Sequence, residues 1–290
     1  MQQGILIVDF GSQYVQLIAR RIRELDVYCE IHPYNQIDFK LIKNLNPSGI
    51  ILSGGPKSVL DKNSPHINKF IFKKDVPILG ICYGLQALTK EFKGKIKKTI
   101  KREYGFAKIN INKKSILIPN EWTNKNNKVW MSHGDHVEHY PKHFEVLGIS
   151  NNNIISIISH KKRKIYGLQF HPEVHHTYLG TKILSNFVFK ICKAKNSWKV
   201  EGFIENKIDE IKKKVGNNRV ICGLSGGVDS SVTAHLIHRA IGENLYCIFV
   251  DHGLLRKNES DEVSKYYYKL FKKNFIKIDD SKIFLNKLKN

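Results

Sequence analysis

What the chain lacks narrows it first. Over 290 residues no apolar run approaches a membrane span, and no early stretch has the make-up of a signal peptide. The five cysteines (Cys29, Cys82, Cys192, Cys222 and Cys247) are scattered, odd in number and never in a Cys-x-x-Cys pair. That argues against a disulfide framework or a zinc ribbon, and for a reducing, cytoplasmic setting. Acidic residues are scarce, 26 against 48 lysines and arginines, for a formal charge of +22. Such charge can signal a nucleic-acid partner. Here the lysines fall in short mixed runs, such as Lys95-Ile96-Lys97-Lys98 and Lys212-Lys213-Lys214, among Ile and Asn. No aromatic platform for stacked bases is interleaved with them. No specific nucleic-acid function and no membrane partner are expected; a basic surface also suits phosphorylated substrates.

What is present is an apolar share of 41%, enough for a substantial core in one large or two ordinary domains. The chain is organised around Gly80-Ile81-Cys82-Tyr83-Gly84. Asp75 to Leu79 before it reads as a buried strand, and Leu85 to Phe92 after it as a helix with an apolar face. Cys82 therefore sits at a strand-to-helix turn with a glycine two residues away on each side. A side chain held at the tip of so sharp a turn needs small neighbours, as in the Gly-x-Ser-x-Gly turn of hydrolases. The following helix N-terminus favours negative charge on the thiol. A buried structural cysteine fits the same local pattern, and the rest of the chain has to decide between the two.

Ile5 to Phe10, Val27 to Ile31, Gly49 to Leu52 and Ile78 to Ile81 read as strands, with Gln13 to Leu25 a helix carrying Val15, Ile18, Ala19 and Ile22 on one face. This alternation implies a parallel sheet covered by helices, with ligands beyond the carboxyl ends of its strands. Cys82 lies at such an end, and so does Ser53-Gly54-Gly55-Pro56. That second stretch reads as a plain Gly-Pro turn or as half of an oxyanion hole, the N–H groups of Gly55 and Tyr83 holding a developing negative oxygen. Between Lys95 and Ser159 segments such as Ala107 to Ile111 alternate like half-exposed antiparallel strands. Ile165 to Phe170 then delivers His171-Pro172-Glu173. Residues two apart in extended backbone face the same side, so Glu173 is placed to accept the Nδ1 proton of His171 and leave Nε2 free as a base. Two other readings stay open: Glu173 as an exposed charge, and His171, Glu173, His175 and His176 as metal ligands.

Tyr178 to Cys192 reads as a closing helix, Lys193 to Val200 as a linker and Phe203 to Val215 as an amphipathic helix. A second chemistry then begins. The strand Arg219 to Leu224 runs into Ser225-Gly226-Gly227-Val228-Asp229-Ser230-Ser231, and Val232 to Ile241 continues as a helix. Strand, glycine-rich turn and helix make an anion cradle from backbone N–H groups, hydroxyls and the helix dipole. Without a lysine it is not the common NTPase loop; it suits the pyrophosphate of an ATP cleaved between its α and β phosphates. A further strand, Leu245 to Val250, ends at Asp251, which with Asp229 is a candidate for Mg²⁺ contact.

In order and at compatible separations, Ser53-Gly-Gly-Pro56, Gly80-Ile-Cys82-Tyr-Gly84-x-Gln86, Ser132-His-Gly-Asp135 and His171-Pro-Glu173 resemble the class I (triad) glutamine amidotransferases. Ser225 to Ser231 resembles the PP-loop of the N-type ATP pyrophosphatases. The two in succession, with Asp9 to Gln13 and Val250 to Glu259, are similar to the GMP synthase (glutamine-hydrolysing) family. NAD synthetase and tRNA-modifying thiolases share the PP-loop but leave the first set unexplained. The resemblance implies an α/β fold: a flavodoxin-like mixed sheet with a nucleophile elbow in residues 1–195, and part of a PP-loop adenine nucleotide hydrolase domain in residues 200–290. It implies Cys82 as nucleophile on glutamine, His171 relaying protons and Glu173 orienting it, with Gln86, Ser132, His133, Gly134 and Asp135 lining the glutamine pocket. It implies ATP and XMP as further substrates, with Mg²⁺, and Arg256 and Glu259 in a lid segment. The family's remaining nucleotide domain and the domain that makes it a homodimer are expected beyond residue 290. Only the glutaminase half is expected of this chain alone, the alternative being a remnant or split subunit that needs a complementary carboxyl-terminal chain.

Overall fold

The apolar runs Ile5–Asp9 (β1), Cys29–Pro33 (β2), Gly49–Leu52 (β3) and Ile78–Ile81 (β4) pair in parallel in a computed structural model that describes residues 4–72, 75–122 and 127–289. Ile5 to Val8, Gly49 to Leu52 and Ile78 to Ile81 are buried between helices on both faces, as an all-parallel region requires, whereas in the edge strand β2 only Cys29 is. The first helix, α1 (Val15–Arg23), turns Val15, Ile18, Ala19 and Ile22 to the core, the stripe its spacing dictates. In α2 (Phe39–Leu45) the Asp38 side chain caps the start by accepting from the Leu41 N–H at 2.6 Å, and left-handed Asn46 ends it. The third helix, α3 (Tyr83–Glu91), leaves β4 directly at Cys82.

The remaining strands are β5 (Lys95–Ile111), β6 (Lys128–His139), β7 (Phe144–Ser150), β8 (Ile155–His160) and β9 (Ile165–Leu168). They extend the sheet in the order β2-β1-β3-β4-β9-β8-β7-β5-β6. β9 is parallel to β4, and the strands beyond it are antiparallel. The closing segment is α4 (Gly180–Ser185) followed by a wider π-helical stretch, Asn186–Ile191, rather than one regular α-helix. Two apolar clusters form the core, one containing Ile7, Ile51 and Leu79 and the other Leu6, Ile50 and Ile78. Neighbouring residues of each strand thus serve opposite faces of the sheet.

The chain divides into two units at Trp198 and Lys199. In the second, α5 (Val200–Val215) precedes β10 (Val220–Leu224), α6 (Val228–Ile241), β11 (Leu245–Asp251), α7 (Glu259–Phe271), β12 (Phe275–Asp279) and α8 (Ser281–Lys287). The sheet is parallel in the order β10-β11-β12. Both crossovers step the same way, and right-handed crossovers then put α6 and α7 on one face. There Cys222, Leu224, Cys247, Phe249 and Phe275 pack with Ala234, Tyr267 and Phe271. Among the described residues no helix is long and apolar enough to cross a membrane.

Candidate active site

The site is built at the carboxyl ends of β1, β3, β4 and β9. Cys82 has φ 51° and ψ −103°, a conformation an L-residue adopts at a cost of about 1–3 kcal/mol. Its neighbours hold it there. The Cys82 N–H donates to Leu168 O at 2.7 Å and the Gly84 N–H to Ser53 O at 3.0 Å. A β-carbon on Gly84 would fall 2.4 Å from Leu52 O, and one on Gly80 would fall 2.6 Å from the Gly84 carbonyl carbon. Both glycines of the motif are there because α3 leaves the sheet at close range to β3 and β4.

The thiol opens on a cavity of about 430 Å³. Gly55, Tyr83, Gln86, Ser132, His133, Gly134, Asp135 and His171 line it, so the structure gathers these expected residues around Cys82. Tyr83 opens α3, where a backbone N–H has no acceptor within the helix. Gly55 lies against it: a β-carbon there would sit 3.2 Å from the Tyr83 ring. Gln86 Nε2 donates to Asp135 O at 2.7 Å, and the Asp135 carboxylate accepts from the Ser58 hydroxyl.

His171 and Glu173 do meet, but not as extended strand. β9 ends at Leu168 and the pair lies on the turn beyond, where the His171 N–H leaves the ladder and donates to Trp130 O at 3.1 Å. His171 Nδ1 donates to Glu173 Oε1 at 2.7 Å. Glu173 is fully buried and its second oxygen has no partner among the described residues. Burial alone would drive the imidazole neutral. The Glu173 carboxylate outweighs it, the Cys82 side chain adds to the effect, and His171 is held well above its ordinary 6.5. The turn itself is clamped: Thr177 Oγ1 donates to His171 O at 2.6 Å and accepts from the Trp130 N–H at 3.1 Å, while Arg21 Nε donates to Glu173 O at 3.1 Å. Tyr14 packs edge-on against the imidazole with ring centres 5.1 Å apart.

The metal alternative finds no support in the arrangement. Among the described residues no three or more His, Cys, Asp or Glu side chains gather as ligands. His175 and His176 instead lie against each other, and His176 stacks on Trp130.

Several residues of this site were not assigned a role from the sequence. Ser12, Tyr14, Ser58, Lys98 and Tyr104 also line the cavity. Beneath it, His133 Nε2 donates to Glu103 at 3.1 Å, and Glu103 also accepts from Asn152 and Ser150. Burial pushes the Glu103 carboxyl up, but these donors outweigh it and hold it low. The available signal was position: Ser12 and Tyr14 follow β1 as Ser53 follows β3. Glu103 and His133 meet through cross-strand register, which the sequence does not print.

In the second unit α6 begins at Val228, four residues earlier than expected, so Val228 to Ser231 form its first turn rather than loop. Gly227 takes the extended cap conformation and Gly226 has φ +80°. Ser225 and Asp229 are exposed around this turn, and Ser230 is half-buried. Ser225 Oγ and Ser230 Oγ lie 3.0 Å apart, and Ser231 Oγ donates to Gly227 O at 2.6 Å. First-turn N–H groups beside serine hydroxyls fit an anion. Asp251 ends β11, beside the strand that feeds this turn. A carboxylate oxygen is a donor type that Mg²⁺ takes beside phosphates and water.

Comparison with known proteins agrees with both halves. The model of the family "Glutamine amidotransferase class-I" matches residues 6–191, and that of "NAD synthase" matches residues 199–286. The chain is 49% identical over 286 residues to a GMP synthase [glutamine-hydrolyzing] of Clostridium kluyveri, covering 99% of this chain and 56% of that protein. It is 52% identical over 289 residues to the protein of the same name from Caldicellulosiruptor saccharolyticus, again covering 56% of it. The chain thus spans just over half the length of these relatives. A crystal structure of a Thermoplasma acidophilum protein, provisionally named as one subunit of a GMP synthase, superposes with TM-score 0.57 and 31% identity, covering 67% of this chain and 95% of that one. With its thiol elbow, its buried imidazole–carboxylate pair and a match over most of its length, the chain belongs to the class I glutamine amidotransferase family.

Proposed function

We propose that residues 1–195 are a glutaminase domain with Cys82 as nucleophile, and that residues 200–290 belong to the ATP pyrophosphatase domain of a GMP synthase. The observation that carries the first half is Cys82 on its strained turn beside a buried His171 whose Nδ1 is fixed by Glu173 at 2.7 Å. The Cys82 sulfur attacks the side-chain amide carbon of glutamine. The negative oxygen that forms is met by the N–H groups of Gly55 and Tyr83, a kind of contact worth about 3 kcal/mol per donor. His171 passes a proton to the departing nitrogen, the carbon–nitrogen bond breaks, and ammonia leaves a thioester. His171 then takes a proton from water, whose oxygen displaces the sulfur to give glutamate. Gln86 and Ser132 to Asp135 shape the pocket that holds the substrate.

In the second half the turn Ser225 to Ser231 would hold the pyrophosphate of ATP, and Asp229 and Asp251 would hold Mg²⁺, which offsets phosphate charge. The whole reaction is the ATP-dependent amination of XMP to GMP by the released ammonia, with AMP and pyrophosphate as by-products. The relatives' names and the NAD synthase match support it.

The test is conversion of glutamine to glutamate by the purified chain. Cys82→Ala should abolish it and stop covalent labelling by a glutamine-like electrophile. Burial pushes the other thiols up, Cys29 to about 11 and Cys247 to about 12, so they should stay unlabelled near neutral pH. Labelling that maps to Cys29, Cys192, Cys222 or Cys247 instead would sink the assignment.

A further inference from the structure

Gln169 is wholly buried and plays no part in the arrangement of thiol, imidazole and carboxylate. The pairing of β4 with β9 sets Ile81 against Leu168, so the next residues, Cys82 and Gln169, leave the sheet side by side. Gln169 Nε2 stands 3.8 Å from Cys82 Sγ, within reach of an N–H···S bond. The sulfur also faces Ser132 O at 3.6 Å, which accepts only from the thiol form. It faces the His171 imidazole too, whose raised proton affinity owes part to Cys82 and whose charge both proteins of the test below keep. Its Oε1 faces Gln86 Nε2 at 3.5 Å, and that nitrogen donates to Asp135 O at 2.7 Å.

The direction of this chain is set at its far end. A backbone carbonyl only accepts, so Gln86 must turn its nitrogen to Asp135 O. The same nitrogen faces Gln169, which must answer with its oxygen. The Gln169 nitrogen is then left to address the sulfur. No member of the chain can be flipped alone without setting two donors or two acceptors against each other inside the protein.

We propose that Gln169 is a further catalytic residue: its side-chain N–H donates to the Cys82 sulfur and favours the thiolate over the thiol, with Gln86 fixing the direction of the amide. A hydrogen bond to an ionised acceptor is stronger than one to a neutral acceptor, so a fixed donor at the sulfur selects the anion. An amide does this without a proton of its own to lose. The inference rests on the reading of Cys82 as nucleophile.

The experiment is alkylation by iodoacetamide, followed on the Cys82 peptide by mass spectrometry between pH 5 and 10, in the wild-type chain and in Gln169→Met. Methionine keeps the length and removes the donor. The neutral-pH rate should fall about tenfold, in line with the loss of a hydrogen bond to a charged group. At high pH, where the thiol is ionised in both proteins, the variant should react as fast as the wild type or faster, because a less stabilised thiolate is the better nucleophile. A crossing of that kind is not expected from mere loss of packing, which would slow the reaction at every pH or expose the thiol at every pH. An unchanged profile overturns the proposal, as does a drop that persists at high pH. Should Gln169→Met not fold, Gln86→Met, which leaves Gln169 in place but unoriented, is read by the same crossing, and its absence overturns the proposal. If the wild-type Cys82 is itself not alkylated ahead of the other cysteines, the nucleophile assignment fails, which separates that failure from this one.

Discussion

At the scale of single residues the site depends on charges and torsions held against their preference. His171 gains its proton affinity from Glu173 in spite of burial. The sign of the linkage follows. The folded chain binds this proton more tightly than the unfolded one, so the stabilisation is complete below about 6.5 and is lost as pH rises through the higher folded value. Removing the carboxylate charge with Glu173→Gln should therefore flatten the fall in melting temperature above pH 6.5. Parallel wild-type and variant curves across that range would contradict the account. The two residues also differ in weight for catalysis. Losing a general base typically costs about 10²–10⁴-fold in rate, whereas Glu173 only orients and charges the imidazole. Glutamine turnover should thus fall further in His171→Ala than in Glu173→Ala, measured as glutamate released. The sequence made Cys82, His171 and Glu173 legible because each follows an apolar strand, and the turn chemistry around the thiol demands glycines. Gln169 and Glu103 were not legible, because they join the site through strand register and face buried partners rather than carrying a motif.

At the scale of elements, two glycines make opposite predictions. Gly84 lies in α3 with Leu52 O where its β-carbon would be, at 2.4 Å. Gly84→Ala should force α3 away from β3 and destabilise the chain by about 1–3 kcal/mol, as overpacking does. The displaced helix N-terminus should also slow labelling of Cys82. Gly202 lies in α5 with nothing within 4 Å of a β-carbon. Gly202→Ala should instead stabilise its helix by about 0.5–1 kcal/mol through the unfolded state. Urea titrations of the two variants test both, and a stabilising Gly84→Ala or a destabilising Gly202→Ala would show that the local packing is misjudged. Strongly periodic elements such as α1 were legible to within a few residues. The failures have local causes. β9 ends at Leu168 and the His171 N–H turns to Trp130 O, off the β8–β9 ladder, and a serine- and aspartate-rich stretch that reads as loop continues as the first turn of α6. The widening at Asn186–Ile191 follows no feature of composition.

At the scale of the whole molecule the two units are unequally finished. In the first, helices cover the parallel strands on both faces, and the apolar residues of β1, β3 and β4 are buried. In the second, α6 and α7 share one face of a three-stranded parallel sheet. On the other face Ile221 is 72% exposed, Ile276 41% and Ile278 37%. Parallel strands are ordinarily covered on both sides, and fewer than about a hundred residues already bury too little surface for ample stability. The second unit should therefore open more readily than the first, and local opening governs cleavage when closing is fast. Limited proteolysis of the whole chain should remove residues after about 200 first and leave a resistant fragment ending near residue 195. That fragment should still convert glutamine to glutamate, since Cys82, His171, Glu173 and every residue of their cavity lie within it. First cleavage within residues 4–195, or a resistant fragment that has lost glutaminase activity held by the intact chain, would mean that the first unit does not stand alone and that the active site depends on residues beyond 195.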